Sequence, residues 1–240
     1  MTCGAAADSV PGMDLTDDAL WPPLGLRVVG AGLELVWARD DLLLGLARLA
    51  AGGVHDEASM PFGVPWTRGT PVEVARSTLQ YNWRSRGSMS PDSWDLALVV
   101  RRDGEVLGMQ GIMAKGFPVT RVAESGSWLG RAHHGQGIGS RMRLLILHLL
   151  FDGFDARAAT TSAFADNAAS LGVTRKLGYR ENGMKTASRE GAAMDQVMFR
   201  MERADWEARP EWMRPDVELH GVGPVRELLG IPVSSDERPA

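Results

Sequence analysis

Apolar positions in the first part of the chain change their spacing, and each spacing predicts a different element. Two short apolar runs, at 26–29 and 33–37, flank a glycine-containing turn at 30–32, which is the pattern of a β-hairpin. Leucines then recur at helical spacing from Asp40 to the glycine pair 52–53, so we expect a helix there. The first part of the chain therefore predicts a hairpin followed by a helix.

The rest of the chain predicts further helices and several strands. Residues 70–73 (Thr-Pro-Val-Glu) form a capping box with proline at the first helical position, which predicts a helix toward Arg86. Helices are also predicted at 138–151, which is apolar nearly all round, and at 167–177. Strands are predicted at 96–101, 106–113, 122–129, 156–164, 181–189 and 195–201. Beyond Arg203 tryptophans and prolines follow, and we expect an irregular extension.

Length and charge narrow the class of protein. The 240 residues suffice for one sizeable domain at 21–203, with a flexible acidic segment at 1–20 and an extension at 204–240. A formal net charge of -4, without a basic stripe, argues against a dedicated nucleic-acid binder. A single cysteine, Cys3, argues against a disulfide framework, and the longest apolar run, 144–151, is too short to cross a bilayer. We expect a cytoplasmic protein with no membrane partner.

The segment from Trp128 to Ser140 carries the most specific chemistry, because it holds glycines at 135, 137 and 139. Alternating glycines let the backbone turn tightly and leave no Cβ in the way of a ligand. The helix that follows presents its N-terminus, where free N–H groups and the helix dipole favour negative charge. The segment therefore predicts a phosphate-binding loop.

Other motifs fit this segment less well. A Walker loop ends in Gly-Lys-Ser/Thr, whereas residues 137–140 read Gly-Ile-Gly-Ser, so NTP hydrolysis is not expected. In a dinucleotide fingerprint Ser140 would replace the third glycine, although Asp155 has the spacing of the acidic partner. A dinucleotide-binding oxidoreductase stays a distant alternative. No spacing of histidines, cysteines and acidic residues predicts a metal site.

Two neighbouring segments place the loop in a family. Residues 167–179 begin Asn-x-x-Ser-x-x-Val and end Lys-Leu-Gly-Tyr, and residues 123–129 read Ala-Glu-Ser-Gly-Ser-Trp-Leu. Together with the loop 134–139, these segments resemble the GNAT superfamily of acyl-CoA-dependent N-acyltransferases, especially its ribosomal-protein N-terminal acetyltransferase branch. The resemblance implies an α/β fold (α+β, with a mixed sheet). Its central twisted, mostly antiparallel sheet would be splayed at the acyl-CoA site, with helices on both faces.

The resemblance also implies acetyl-CoA, or another acyl-CoA, as cosubstrate, and no metal. Backbone N–H groups of the loop would hold the pyrophosphate, and the strand before the loop would pair with the pantetheine arm. A backbone N–H near Leu129 would polarise the thioester oxygen. The implied cofactor-binding residues are Trp128, Leu129, His134, Gly135, Gln136, Gly137, Ile138, Gly139, Ser140, Asn167 and Ser170.

Two residues are catalytic candidates by the same resemblance. Glu124 occupies a frequent general-base position of the family, where a carboxylate takes the proton of the attacking amine, often through a water. Alternatively, Glu124 is a solvated carboxylate or an ion-pair partner of Arg121. Thr174 stands where many relatives have an acidic tyrosine. Ser170 or a water would then protonate the leaving thiolate, which is undemanding because the pKa of a thiol is about 8.5.

The acceptor is the least specified part of the reaction. Phe62, Trp66 and Trp83 are candidate substrate-binding residues, although they fit equally well as a cap on the core. A small-molecule amine and a protein N-terminus both remain open as acceptors, as does a homodimer. The leading interpretation is acyl transfer to a primary amine by direct attack in a ternary complex. Alternatives are a longer donor such as succinyl-CoA, with Arg68 or Arg84 meeting its carboxylate, and a catalytically silent acyl-CoA-binding module.

Overall fold

A computed structural model of the chain describes residues 15–232. Cys3 and most of the predicted flexible segment 1–20 lie outside the described residues. The strands are β1 Arg27–Gly30, β2 Leu33–Trp37, β3 Ser93–Arg102, β4 Glu105–Lys115, β5 Val122–Leu129, β6 Ala158–Phe164, β7 Arg180–Arg189, β8 Ala192–Glu202 and β9 Val217–His220. The helices are α1 Asp17–Leu20, α2 Asp40–Ala51, α3 Pro71–Gly87, α4 Phe117–Thr120, α5 Ile138–His148, α6 Ala168–Lys176, α7 Arg203–Glu207 and α8 Val222–Leu228.

All nine of these strands form one sheet in the order β7-β8-β6-β5-β4-β3-β2-β1-β9. Every neighbouring pair is antiparallel except β5 and β6, which run parallel. This parallel pair is registered over three residues, from Val122 opposite Ala158 to Glu124 opposite Thr160. Beyond Glu124 the two strands separate. The expected mostly antiparallel, splayed sheet is confirmed, and we call the gap between the ends of β5 and β6 the fork.

The hairpin turns follow from local sequence. Each of three hairpin turns consists of two residues with positive φ, as a tight hairpin between twisted strands requires. The turns are Ala31-Gly32, Asp103-Gly104 and Glu190-Gly191. The capping box of α3 is also confirmed, since the Thr70 side chain accepts from the Glu73 backbone while the Glu73 carboxylate accepts from the Thr70 backbone.

Helices cover both faces of the sheet and bury two apolar clusters. On one face, α5 is buried along almost its whole length and continues into a π-helical turn at Leu149–Gly153. On the other face, α2 and α3 pack over Ala97, Val99 and Trp128. Side chains of a strand alternate between faces, so odd-numbered residues of β5 face α5 and even-numbered residues face α2 and α3.

The segment after Arg203 is not the irregular extension we expected. It forms α7, β9 and α8, and β9 pairs with β1 along four residues, from Arg27 opposite His220 to Gly30 opposite Val217. Trp206 is buried and stacks on Phe151 at 5.2 Å between ring centroids. The segment forms a strand there because the outer edge of β1 would otherwise leave its backbone N–H and C=O groups without hydrogen-bond partners. Of the described helices, none has the length and hydropathy to cross a membrane.

Candidate active site

The glycine-rich loop leads directly into α5 and leaves the first turn of that helix open. Gly135 and Gly137 have φ of +74° and +71°, a left-handed backbone that favours glycine, and Gly137 is the N-cap residue of α5. Within residues 15–232, no side chain caps this N-terminus, and the position that a Cβ would take on either glycine is empty to 4 Å. The N–H groups of the first turn are therefore available to an anion, and a side chain at either glycine would project into open space.

The side chains around the loop are held by backbone carbonyls. The His134 ring lies 3.2 Å from the carbonyl oxygen of Leu129, and Gln136 donates to the carbonyl oxygen of Ala132 at 3.0 Å. His134 therefore sits at the end of β5, while the Gln136 side chain is turned back onto the loop.

One cleft of about 710 Å³ runs from this loop into the fork. The structure brings nearly all of the predicted donor-site residues to its walls. Those that line the cleft are Glu124, Trp128, Leu129, His134, Gly135, Gly137, Ile138, Gly139, Ser140, Asn167 and Ser170. Gln136 is the predicted donor-site residue that does not line it.

The start of α6 forms one wall of the cleft. Asn167 is the N-cap of α6, and its side-chain oxygen accepts from the Ser170 N–H at 3.1 Å. Thr174, buried one turn later, donates its hydroxyl to the carbonyl oxygen of Ser170 at 2.8 Å. The Thr174 hydroxyl is thus occupied within its own helix and is not presented to the cleft as an acid. Ser170 lines the cleft.

Glu124 lies where β5 and β6 begin to separate, on the face of the sheet covered by α3. The Ser162 hydroxyl donates to its Oε1 at 3.2 Å. Its alternative as an ion-pair partner of Arg121 is not what the structure shows, since Arg121 lies 3.5 Å from an Asp155 carboxylate oxygen instead. Among residues 15–232, no cation forms a salt bridge with Glu124. Its side chain is thus held by a neutral hydroxyl and not by a cation of the described residues.

A second cavity, of about 440 Å³, adjoins the cleft on the α3 side. The two cavities share Phe62, Met113, Gly126, Ser127 and Trp128 as lining residues. Aromatic rings line these cavities, with Phe62 and Trp66 5.1 Å apart and Trp66 and Trp128 5.5 Å apart between centroids. Phe62 and Trp66 thus line the second cavity as expected of acceptor-site residues.

Trp83 does not join these rings. It lies on α3, is 51% exposed and lines neither cavity. Its neighbour is Asp40, whose pKa is lowered chiefly by Arg86 and to a smaller degree by Trp83. Its side chain points away from the sheet, whereas Tyr81, Thr78 and the other lining residues of α3 face it.

A half-buried carboxylate, Asp95, binds the hydroxyl of Tyr81, which lines the second cavity, and was not expected from the sequence. The Tyr81 hydroxyl donates to Asp95, and Ser85 donates to the same oxygen at 3.2 Å. Burial raises the pKa of Asp95, while these hydrogen bonds lower it. Asp95 pairs across the sheet with Met113, which pairs with Glu124, so the two carboxylates occupy one row. The sequence signal was a lone acidic residue inside an apolar strand.

Two bidentate ion pairs hold the turn between β7 and β8. Arg68 binds Glu190 at 2.7 and 3.1 Å, and Arg189 binds Asp166 at 2.8 and 2.6 Å. Arg189 also donates to the Met60 carbonyl oxygen at 3.1 Å. These contacts, which we call the clasp, join the hairpin to the α2–α3 loop and to the residue before Asn167. The guanidinium groups lower the pKa of both carboxyl groups.

The chain matches one protein-family model and resembles several solved structures. The family model described as an acetyltransferase (GNAT) domain matches residues 36–180. RimL, the ribosomal L7/L12 alpha-N-protein acetyltransferase solved with CoA, is 20% identical, with 72% of this chain and 94% of RimL covered at a TM-score of 0.57. Mycobacterium smegmatis RimJ with CoA-disulfide is 21% identical (80% and 91% covered, TM-score 0.60). A GCN5-related N-acetyltransferase from Brucella melitensis is also 21% identical (76% and 80% covered, TM-score 0.60).

Proposed function

Since the chain belongs to the GNAT acetyltransferase family and is an acyl-CoA-dependent N-acetyltransferase, we propose that it transfers the acyl group to a primary amine by direct attack in a ternary complex. One observation carries this proposal. The cleft that starts at the glycine-rich loop meets the second cavity at Gly126–Trp128, beside Glu124. Donor and acceptor can therefore be held on two sides of the same strand without a covalent enzyme intermediate.

The donor is held by backbone groups in this proposal. The open first turn of α5 and the two left-handed glycines receive the pyrophosphate. The Gly130 N–H donates to the Leu107 carbonyl oxygen at 2.9 Å, which is on the β4 side of β5. Because N–H groups alternate between the two edges of a strand, the Leu129 N–H faces the fork, where it can polarise a thioester oxygen.

Glu124 is the proposed general base. The amine nitrogen attacks the thioester carbonyl carbon, the C–N bond forms, the C–S bond breaks, and the electron pair of that bond leaves with sulfur. The proton that nitrogen loses passes to the Glu124 carboxylate, directly or through a water. Glu124 suits this role because it lines the donor cleft, and its described polar contact is the Ser162 hydroxyl.

Ser170 is the proposed source of a proton for the departing sulfur. It lines the cleft at the start of α6, and Asn167 fixes its backbone. The Thr174 hydroxyl is engaged with the Ser170 carbonyl oxygen, so the tyrosine of many relatives has no functional replacement at this position. We therefore expect only a modest contribution from acid catalysis, since a thiolate with a pKa of about 8.5 leaves readily.

The acceptor is a cationic amine in this proposal. Neighbouring strands lie about 4.8 Å apart, so Asp95 and Glu124, two strands apart in one row, are separated by roughly 10 Å. Glu124 lines the donor cleft, and Asp95 binds Tyr81 of the adjoining apolar cavity, so two carboxylates near these walls favour a positively charged substrate that also carries apolar groups. RimL is described as acting on the N-terminus of ribosomal L7/L12, so a protein N-terminus stands beside small-molecule amines as an acceptor class.

A longer donor such as succinyl-CoA remains the second candidate within the same chemistry. Of the two arginines considered for its carboxylate, Arg68 is bound to Glu190, whereas Arg84 lines the second cavity and forms no salt bridge within residues 15–232. Arg84 is therefore the better placed of the two. The non-enzymatic alternative is a catalytically silent module that binds acyl-CoA. The presence of Glu124 in the cleft argues against this alternative.

The proposal is tested with the full chain and a panel of amines. Acetyl-CoA and succinyl-CoA are offered with diamines, aromatic amines and peptides with free N-termini, and release of the CoA thiol is measured together with the mass of the acylated amine. We expect turnover with cationic amines and no turnover with their N-methylated tertiary analogues, which cannot form an amide. Stabilisation by CoA without turnover of any amine would support the silent binder instead.

A further inference from the structure

Arg143 is a buried cation that has no acidic partner among the residues the structure describes. It lies on α5 and is 5% exposed, and no carboxylate of residues 15–232 forms a salt bridge with it. Its two terminal nitrogens donate to hydroxyl groups, to Thr161 at 3.3 Å and to Ser127 at 3.2 Å. Its Nε is buried and has no hydrogen-bond partner in the described part of the chain.

This arrangement is costly unless an anion joins it. A guanidinium keeps its charge in proteins, and a buried charge that is met only by neutral hydroxyls costs several kcal/mol in general. Burial lowers the pKa of Arg143, which is the expected sign of that cost, and the Tyr179 phenol beside it acts in the opposite direction. The environment is thus built around a positive charge that the described residues do not neutralise.

The location of Arg143 identifies which anion it can meet. Ser127 belongs to β5 and Thr161 to β6, so the guanidinium bridges the fork just beyond the last registered pair, Glu124 and Thr160. The Thr161 hydroxyl donates to the Ser125 carbonyl oxygen at 2.9 Å, which turns its lone pairs toward Arg143. Arg143, Ser127 and Thr161 all line the donor cleft. The charge therefore lies at the floor of the fork.

We propose that Arg143 stabilises the CoA thiolate as it leaves, so that the departing sulfur depends little on the proton that Ser170 supplies. This inference rests on the proposed acyl transfer. Breaking the C–S bond puts a negative charge on sulfur, and a fixed cation in a site shielded from water lowers the energy of that charge as it develops. The cation also gives a reason why the Thr174 hydroxyl can be committed to the Ser170 carbonyl oxygen.

The first test measures the bound thiol, not the reaction. Free CoA is titrated through the ultraviolet absorbance of its thiolate, alone and with excess protein. In the wild-type complex we expect the thiol pKa to fall by at least about one unit, a tenfold change in ionisation. Arg143→Met should abolish this fall, and Arg143→Lys, which keeps a charge, should restore part of it. An unshifted thiol pKa in the wild-type complex overturns the proposal, whether or not the variants fold.

A matched control separates the site from the general cost of losing a buried arginine. Arg226 is also buried, at 8% exposure, and its guanidinium donates to the Gly153 carbonyl oxygen at 3.2 Å, away from the cleft. Arg226→Met should leave the thiol pKa of bound CoA lowered as in the wild type. A loss of the shift in Arg226→Met as well would assign the effect to global stability and overturn the proposal.

The second test asks whether Arg143 acts on the sulfur of CoA or on a carboxylate of the donor's acyl group. If Arg143 serves the sulfur, Arg143→Lys reduces turnover by the same factor with acetyl-CoA and with succinyl-CoA. A loss confined to succinyl-CoA would assign Arg143 to the donor's carboxylate and overturn the proposal. Absence of turnover with every amine, together with a lowered thiol pKa, would refute the proposed function and leave the assignment of Arg143 supported.

Discussion

Gly137→Val tests the donor loop at its most constrained position. Gly137 has a φ of +71° and is the N-cap of α5, where the proposal places the CoA pyrophosphate. No atom of the described residues lies within 4 Å of the position that a Cβ would take there, so the added side chain meets no neighbour in that part of the protein. Its costs are backbone strain in the free protein and direct obstruction of the phosphate, and these two effects can be measured separately.

The strain is moderate. A non-glycine residue in the left-handed region costs about 1–2 kcal/mol. For a domain of this size, about 1 kcal/mol corresponds to roughly 2–4 °C in Tm, so Gly137→Val should melt about 2–8 °C below the wild type without ligand. CoA at about 100 times its Kd stabilises the wild type by about 2.7 kcal/mol, or roughly 5–11 °C. That increment should vanish in Gly137→Val.

Gly183→Val is the matched control. Gly183 also has a positive φ, +102°, no described atom lies within 4 Å of its Cβ position, and it does not line the cleft. The control should lose Tm to a similar degree but keep the full increment from CoA. The assay is thermal unfolding of both variants and the wild type over a CoA titration. An unchanged CoA increment in Gly137→Val would refute the assignment of the loop to the pyrophosphate.

Two further predictions concern the thiol side and the clasp. In Ser170→Ala, CoA should still raise Tm as in the wild type, and turnover should fall less than about tenfold, because a thiolate leaves without full protonation. A fall in turnover as large as the one expected for Glu124→Gln would contradict this. Asp166→Asn should expose the β7–β8 turn to limited proteolysis, which its Arg189 ion pair resists. Arg189 lowers the pKa of the Asp166 carboxyl group. In the wild type, the protection against proteolysis is therefore complete above the ordinary pKa of an aspartate, and it is lost as pH falls through the lowered pKa of Asp166. Unchanged proteolysis in Asp166→Asn would rule out the clasp as a restraint.

Much of the fold is encoded locally and could be predicted. The three two-residue turns, the capping box at Thr70 and the glycine-rich loop each depend on residues that are adjacent in the chain. The splayed sheet was accessible only through the family resemblance, because the separation of β5 from β6 after Glu124 is a property of two strands that are distant in sequence. The three sequence segments therefore identified residues that the structure brings together around one cleft.

The features that escaped prediction depend on long-range packing. The pairing of β9 with β1 joins residues about 190 positions apart, and a four-residue strand has almost no periodic signal of its own. Trp83 faces outward because α3 presents Tyr81 and Thr78 to the sheet instead. Arg143 stands in a mostly apolar helix that also contains the half-exposed Arg141, and only the fork beneath Arg143 shows that this arginine is buried.

Turnover of Glu124→Gln over pH tests the central claim most directly. The substitution keeps the shape of the side chain and removes the base, so the CoA increment in Tm should persist while turnover at neutral pH falls by about 10²-fold or more. The residual rate should recover as pH rises, because an amine that is already deprotonated does not need the carboxylate. Equal turnover of Glu124→Gln and the wild type between about pH 6 and 9 would contradict the account, since no proton would then pass through Glu124.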